Sequence, residues 1–306
     1  MNQLTRRQML AASVVAATGT TVRSGEKKPI SPIDAHVHVW TPDTETFPLA
    51  EGFQKSGMNP KSFTPEELFS ECKPHGVKRI VLIQMSFYKF DNSYMLHAMD
   101  KYPGVFGGVA IVDHSLSGVS KEMKRLANQK VRGFRLYANA KNTSTWATDR
   151  GVKAMWSTGA DENLAMCLLA DPDALPAITK MCENYPQTPV VIDHFARIGM
   201  KGAVDQKQLD QLLALSKFKT VAVKVSAYYA LGKKKPPYTD LGPMILQLRD
   251  AYGADRLMWA TDCPFQVQDG HSYQASIELI RDRLDFLSRE EKRSILETTA
   301  EKRFFS

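Results

Sequence analysis

The chain has 306 residues, 43% of them apolar and 24% charged, which excludes a disordered protein and allows one large core or two modest ones. Its formal charge of +7 suggests nucleic acid only until the charge is located: Arg6, Arg7, Arg23, Lys27 and Lys28 against Glu26 leave +3 for everything beyond residue 28, so no nucleic-acid partner is expected. The four cysteines, Cys72, Cys167, Cys182 and Cys263, show neither a C-x-x-C nor a zinc-ribbon spacing and read as free and mostly buried.

The first segment, residues 1–28, reads as a targeting sequence. In "LTRRQMLAASVVAATGTTV" the pair Arg6-Arg7 precedes an alanine-rich apolar stretch that falls short of the roughly 20 residues a membrane span needs. This is the layout of a twin-arginine export signal and predicts a periplasmic protein with no stable transmembrane span in the mature chain. The break "RSGEKKPISP" ends the segment without a clean small-residue cleavage site.

Residues 29–306 read as a single domain in which β-branched runs alternate with helices. The runs are "PIDAHVHVW", "KRIVLIQ", "FGGVAIVD", "VRGFRLYA", "NLAMCLLA", "PVVIDHFA", "TVAVKVSA" and "RLMWATDCPF", eight strands in all. Between them, "FTPEELFSEC" carries Thr64 as N-cap, Pro65 at the first helical position and Glu67 at the third; "SREEKRSILETTAEKRFF" repeats the box with Ser288 and Glu291. Eight strand and helix pairs in this length predict an α/β fold of the (β/α)8 barrel type. The rival, a doubly wound open sheet, calls for a glycine-rich turn after the first strand, where this chain has His36-Val37-His38-Val39-Trp40.

Strand parity sorts the polar residues onto one end of the barrel. His36 and His38, two apart, leave the same face of the first strand, and Asp34 is expected on that face too. By the same count Gln84 points inward with Ile80 and Leu82, Arg135 with Gly133 and Tyr137, His194 with Val190 and Ile192, and Asp262 with Met258 and Ala260. Each sits at the carboxyl end of its strand, the face where enzymes of this fold build their active sites.

The motifs "DAHVHVW", "VRGFRLYA", "VVIDHFARIG", "VKVSAYYALG" and "RLMWATDCPF", with a closing "ILETTAEKRFF", resemble in order and spacing the amidohydrolase superfamily, in its amidohydrolase-related branch of lactonases and decarboxylases. The resemblance runs from about residue 32 to the end. It implies a metal-dependent-hydrolase-like barrel with His36, His38, His194 and Asp262 around a catalytic water. It departs from the binuclear members, because the fourth strand offers Arg135 where a lysine or glutamate ligand is wanted and the fifth has no histidine, so one divalent ion at most is expected.

The donor set His36, His38, His194 and Asp262 suits zinc best, and metal-free catalysis satisfies the same residues. With metal, Asp262 takes a proton from activated water; without it, Asp262 alone is the general base and a histidine, His194 among them, stabilises the oxyanion. Arg135 and Arg197 are expected to clamp a substrate carboxylate, Gln84 to bond a substrate oxygen, and Tyr137 and Tyr228 to line the pocket. The function expected is opening of a lactone or similar cyclic ester of a small carboxylated or sugar-derived molecule. The alternatives are a metal-dependent decarboxylase of the same family and a non-catalytic barrel that binds a small acid.

Overall fold

The computed structural model describes residues 28–306. Its strands are β1 (Ile33–Val37), β2 (Arg79–Ile83), β3 (Phe106–Ala110), β4 (Val131–Ala138), β5 (Ala165–Ala170), β6 (Val190–Ile192), β7 (Val221–Val225) and β8 (Leu257–Trp259). They lie side by side in sequence order, each parallel to the next. Just past β8 the ring closes on β1: Asp262 N donates to His36 O at 2.9 Å and His38 N to Cys263 O at 2.8 Å. The architecture is the expected (β/α)8 barrel; a doubly wound sheet would reverse its strand order and keep two open edges. The leader lies outside the described residues apart from Lys28.

Local chemistry explains where the outer helices begin. Thr64 and Ser288 each form the capping box expected of them, accepting from the backbone of Glu67 and Glu291 while those carboxylates accept from the cap's own N–H. Asp149 and Asp205 cap the helices Arg150–Asp161 and Gln206–Ala214. Among the described residues no helix is long and apolar enough to cross a membrane. All four cysteines are free and buried.

Two apolar layers result from the period-2 alternation of the strands. Ile33, Ala35, Val81, Val109, Cys167, Val191 and Met258 fill the barrel interior. Ile80, Leu82, Val190, Ile192, Val223 and Val225 face outward and pack with Leu68, Met123, Trp156, Ile178, Leu212 and Leu248 of the helices. Each such side chain contributes ~1.5–3 kcal/mol by leaving water.

These faces correct two parity expectations. Asp34 does not share a face with His36 and His38. It points to the helix layer, and the strand changes phase beyond it: Asp34 pairs with Ile80 and Val37 with Leu82, three residues against two. The extra residue is a β-bulge, so Ala35 and His36 both turn inward and His38 follows. In β2, Ile80 and Leu82 face outward, so Gln84 is carried away from the barrel axis; its amide donates to the carbonyls of Asp91 and Lys89.

Asp34 anchors the bulge. Its carboxylate accepts from Thr261 N (2.9 Å), Thr261 Oγ1 (2.6 Å), Tyr273 OH (2.8 Å) and His36 N (3.3 Å), tying β1 to the end of β8. All of these groups are buried. Removing the acceptor strands several buried donors at ~1–3 kcal/mol each. Asp34→Ala is therefore expected to lower unfolding free energy by about 3–5 kcal/mol, read from a urea titration; a loss below about 1 kcal/mol would show that the clamp does not hold the barrel shut.

Candidate active site and metal centre

Four strand ends meet at the barrel mouth. β1 supplies His36 and His38, β4 Arg135, the turn after β6 His194, and the turn after β8 Asp262. The sequence reading put His194 on a face with Val190 and Ile192, but those two face the helices and the inward residue after Val191 is Asp193. His194 reaches the mouth because the backbone turns left-handed there: His194, Phe195, Ala196 and Arg197 have φ of 52°, 54°, 53° and 58°. Four successive non-glycine residues in this region cost ~1–3 kcal/mol apiece, and Asp262 (φ 69°) and Ala227 (φ 56°) add to the strain around the same opening.

The donor atoms converge. His36 Nε2 lies 3.3 Å from His38 Nε2 and 3.4 Å from Asp262 Oδ1; His38 Nε2 is 3.3 Å from Asp262 Oδ1, and His194 Nε2 is 3.7 Å from Asp262 Oδ2. His36, His194 and Asp262 present one ligand atom each within 4.8 Å of one another; His38 stands outside that group and touches it through His36 and Asp262. Ligands ~2.0–2.2 Å from a tetrahedral ion stand roughly 3.3–3.6 Å apart, so these separations are those of a metal cradle.

Each imidazole is held by its other nitrogen. His38 Nδ1 donates to Ile83 O at 2.8 Å, which leaves Nε2 of the neutral ring as a lone pair. His194 Nδ1 meets Ser226 Oγ at 2.8 Å, and His36 Nδ1 faces Lys224 Nζ (3.2 Å) and Asp193 Oδ1 (3.5 Å). Such outer partners orient metal-binding histidines. Asp262 Oδ2 accepts from Tyr229 OH at 2.7 Å, whereas its Oδ1 is buried without a hydrogen-bond partner and faces the imidazoles. The residues fit a divalent ion.

Electrostatics agree. Burial, with Lys224 beside it, pushes His36 well below the ordinary imidazole value, and burial also lowers His194, so both stay neutral as metal ligands must be. Burial alone would raise Asp262, but the surrounding imidazoles, His194 first, hold its carboxyl below the usual range. Beneath the mouth, Lys224 and Asp193 are fully buried and pair at 3.0 Å. Against burial, Lys224 and then His36 hold Asp193 well below the usual carboxylate range.

A cavity of about 380 Å3 opens above these donors, lined by His38, Arg135, Tyr137, His194, Arg197, Tyr229 and Asp262 among others. Arg135 is buried; its Nη1 lies 3.5 Å from His38 Nε2, its Nε has no hydrogen-bond partner, and among the described residues no carboxylate pairs with it. Arg197 lines the same cavity but is already paired with Asp171 at 2.7 Å. Tyr137 stands partly exposed, its ring 5.3 Å from the Arg135 guanidinium.

Two expected contacts lie elsewhere. Gln84 is engaged with backbone carbonyls, as above. Tyr228 is fully buried in the helix layer and donates to Val225 O at 2.8 Å; the left-handed turn at Ala227 presents its neighbour Tyr229 to the cavity instead. The sequence reading missed Lys224 and Asp193. Lys224 carried a usable signal, a lone charge between valines in "TVAVKVSA", inward by parity with Ala222.

The amidohydrolase family model matches residues 33–305. The chain is 25% identical over 243 residues to L-fucono-1,5-lactonase of Burkholderia ambifaria, covering 78% of this chain and 82% of that protein. It is 26% identical over 231 residues to 4-sulfomuconolactone hydrolase of Rhizobium radiobacter, covering 76% and 75%. A solved structure from Pseudomonas putida, provisionally assigned as a 2-pyrone-4,6-dicarboxylic acid hydrolase, shares the fold with a TM-score of 0.76 at 24% identity, covering 91% of this chain and 98% of that one. So does a zinc-bound amidohydrolase from Burkholderia multivorans, with a TM-score of 0.71 at 17% identity, covering 90% and 99%. This chain belongs to the amidohydrolase family.

Proposed function

We propose that the chain is a lactone hydrolase acting on a small carboxylated lactone. The observation that carries the reading is the meeting of three imidazoles and an ionised carboxylate beside a buried guanidinium that has no carboxylate partner among the described residues. The lactone hydrolases among the relatives support the reaction class.

His36, His38, His194 and Asp262 would hold one divalent ion, zinc by donor type and by the zinc-bound neighbour. When bound, it would supply Lewis-acid polarisation of the lactone carbonyl and a more acidic water. Asp262, kept ionised, accepts the proton of the attacking water as the new C–O bond forms. The acyl–oxygen bond of the ring then breaks, and Asp262 returns the proton to the departing ring oxygen, giving an open hydroxy acid. Tyr229 keeps Oδ2 engaged at 2.7 Å and leaves Oδ1 turned to the reacting side. Ser226 holds the His194 ring through Nδ1, so that Nε2 faces Asp262 and the ion site.

Arg135 supplies the planar fork for a substrate carboxylate, with the Tyr137 ring beside it. Arg197, half-spent on Asp171, is the weaker second cation. Asp262→Asn keeps shape but loses proton affinity, so kcat on carboxylated lactones is expected to fall ~10²-fold or more with KM little changed. Arg135→Met is expected to raise KM for carboxylated lactones and to spare neutral ones. A panel of sugar and pyrone lactones, assayed with metal content measured on the same preparations, tests both. Near-normal turnover in a folded Asn variant would remove Asp262 from the mechanism, and carbon dioxide release from carboxylated phenols without lactone opening would replace hydrolysis by decarboxylation.

The leader supports a periplasmic location by the twin-arginine route, with residues 29–306 as the exported barrel. Replacing Arg6-Arg7 by two lysines is expected to leave precursor in the cytoplasm, followed by fractionation; unchanged export would reject this route.

A further inference from the structure

A second cavity, of about 570 Å3, adjoins the mouth and is not used by the mechanism above. Ser86, Arg135 and Tyr137 line both cavities, so the guanidinium assigned to a substrate carboxylate stands at their shared wall. The second cavity lies outside β4, between the loops after β3 and β4 and the helix Arg150–Asp161. Phe90, Ile111, Leu136, Trp146 and Val152 give it apolar walls.

Several polar groups at its edge are already satisfied, while His114 Nδ1 and Arg135 Nε, on residues that also line it, have no hydrogen-bond partner. Lys89 Nζ donates to Glu51 O at 2.8 Å, Asp113 Oδ1 accepts from Ser115 N and Oγ at 2.9 and 2.6 Å, and Asp149 Oδ1 accepts from Val152 N at 2.7 Å. An apolar guest would therefore gain contact without breaking these bonds. Phe90 at the rim leaves 51% of its surface to water and Tyr137 leaves 41%, apolar area that such a guest would cover. The volume falls in the range of ligand pockets, well beyond a packing defect or a site for one water.

We propose that this cavity is a binding subsite for an apolar extension, an aryl ring or a chain of several methylenes, carried by the lactone substrate. The lactone ring then sits over Asp262, the carboxylate at Arg135, and the extension against Trp146 and Phe90. This rests on the lactone reading of the mouth and narrows it to a bipartite, amphipathic substrate class.

The test compares a bare carboxylated lactone with the same lactone bearing a phenylalkyl chain, on wild-type protein and on Thr145→Trp. Thr145 is an exposed residue lining the second cavity only, and an indole there would fill it from the rim. The extension is expected to raise kcat/KM at least tenfold in wild type, and the variant is expected to lose that gain while hydrolysing the bare lactone at the wild-type rate. An extension without effect in wild type, or a gain that survives in Thr145→Trp, overturns the subsite. Calorimetry with 6-phenylhexanoate and propionate separates the two readings. If no lactone is opened, the hydrolase reading fails, yet at least tenfold tighter binding of the phenyl acid that Thr145→Trp abolishes still supports the subsite; equal affinities for the two acids overturn it.

Discussion

The carboxylate of Asp34 is the joint on which the mouth depends. With three hydrogen bonds it fastens β1 to Thr261 and to Tyr273, and a fourth holds His36 N within β1, so the closing edge of the barrel is held by side-chain bonds just below the mouth. The bulge beside it turns His36 inward after Ala35 and fixes the phase of His38. The same clamp fixes Thr261, and Asp262 follows one residue later with its N–H on His36 O. Burial pushes the Asp34 carboxyl up to about 6, with the donors from Thr261, Tyr273 and His36 pulling against it. It is a structural acid from which the proposed site residues hang.

Charge is sorted by depth. On the barrel floor Lys224 and Asp193 pair at 3.0 Å, each the other's compensation in a place where an isolated charge would be prohibitive. One layer up, the imidazoles of His36 and His194 are neutral and meet the anionic Asp262. Above them Arg135 stays buried with no carboxylate among the described residues to meet it. A self-neutralised floor leaves the Asp262 carboxylate and the Arg135 guanidinium as the charged groups at the mouth, the first to meet the proposed cation and the second the proposed substrate anion.

Strain is concentrated where function is proposed. The left-handed run His194–Arg197 follows a strand of only three residues, and it converts an outward position into an inward one. Ala227 performs the same service after β7, bringing Tyr229 against Asp262 and sending Tyr228 into the core. Strained backbone of this kind persists because the packed barrel on either side over-determines it.

Much of this was legible from residue order alone. Eight β-branched runs with capping boxes between them name the barrel, because period and length depend only on local sequence. His36, His38, Arg135, His194 and Asp262 stand at strand ends, and a parallel barrel brings all such ends to one mouth. What parity could not supply was the phase. A one-residue bulge in β1 reverses Asp34 relative to His36, outward Ile80 and Leu82 take Gln84 with them, and positive φ angles reverse His194 and exchange Tyr229 for Tyr228. The Lys224–Asp193 pair and the second cavity arise from residues tens of positions apart, so only the closed barrel, which brings β6 and β7 under β1 and packs the β3 and β4 loops together, decides that they exist.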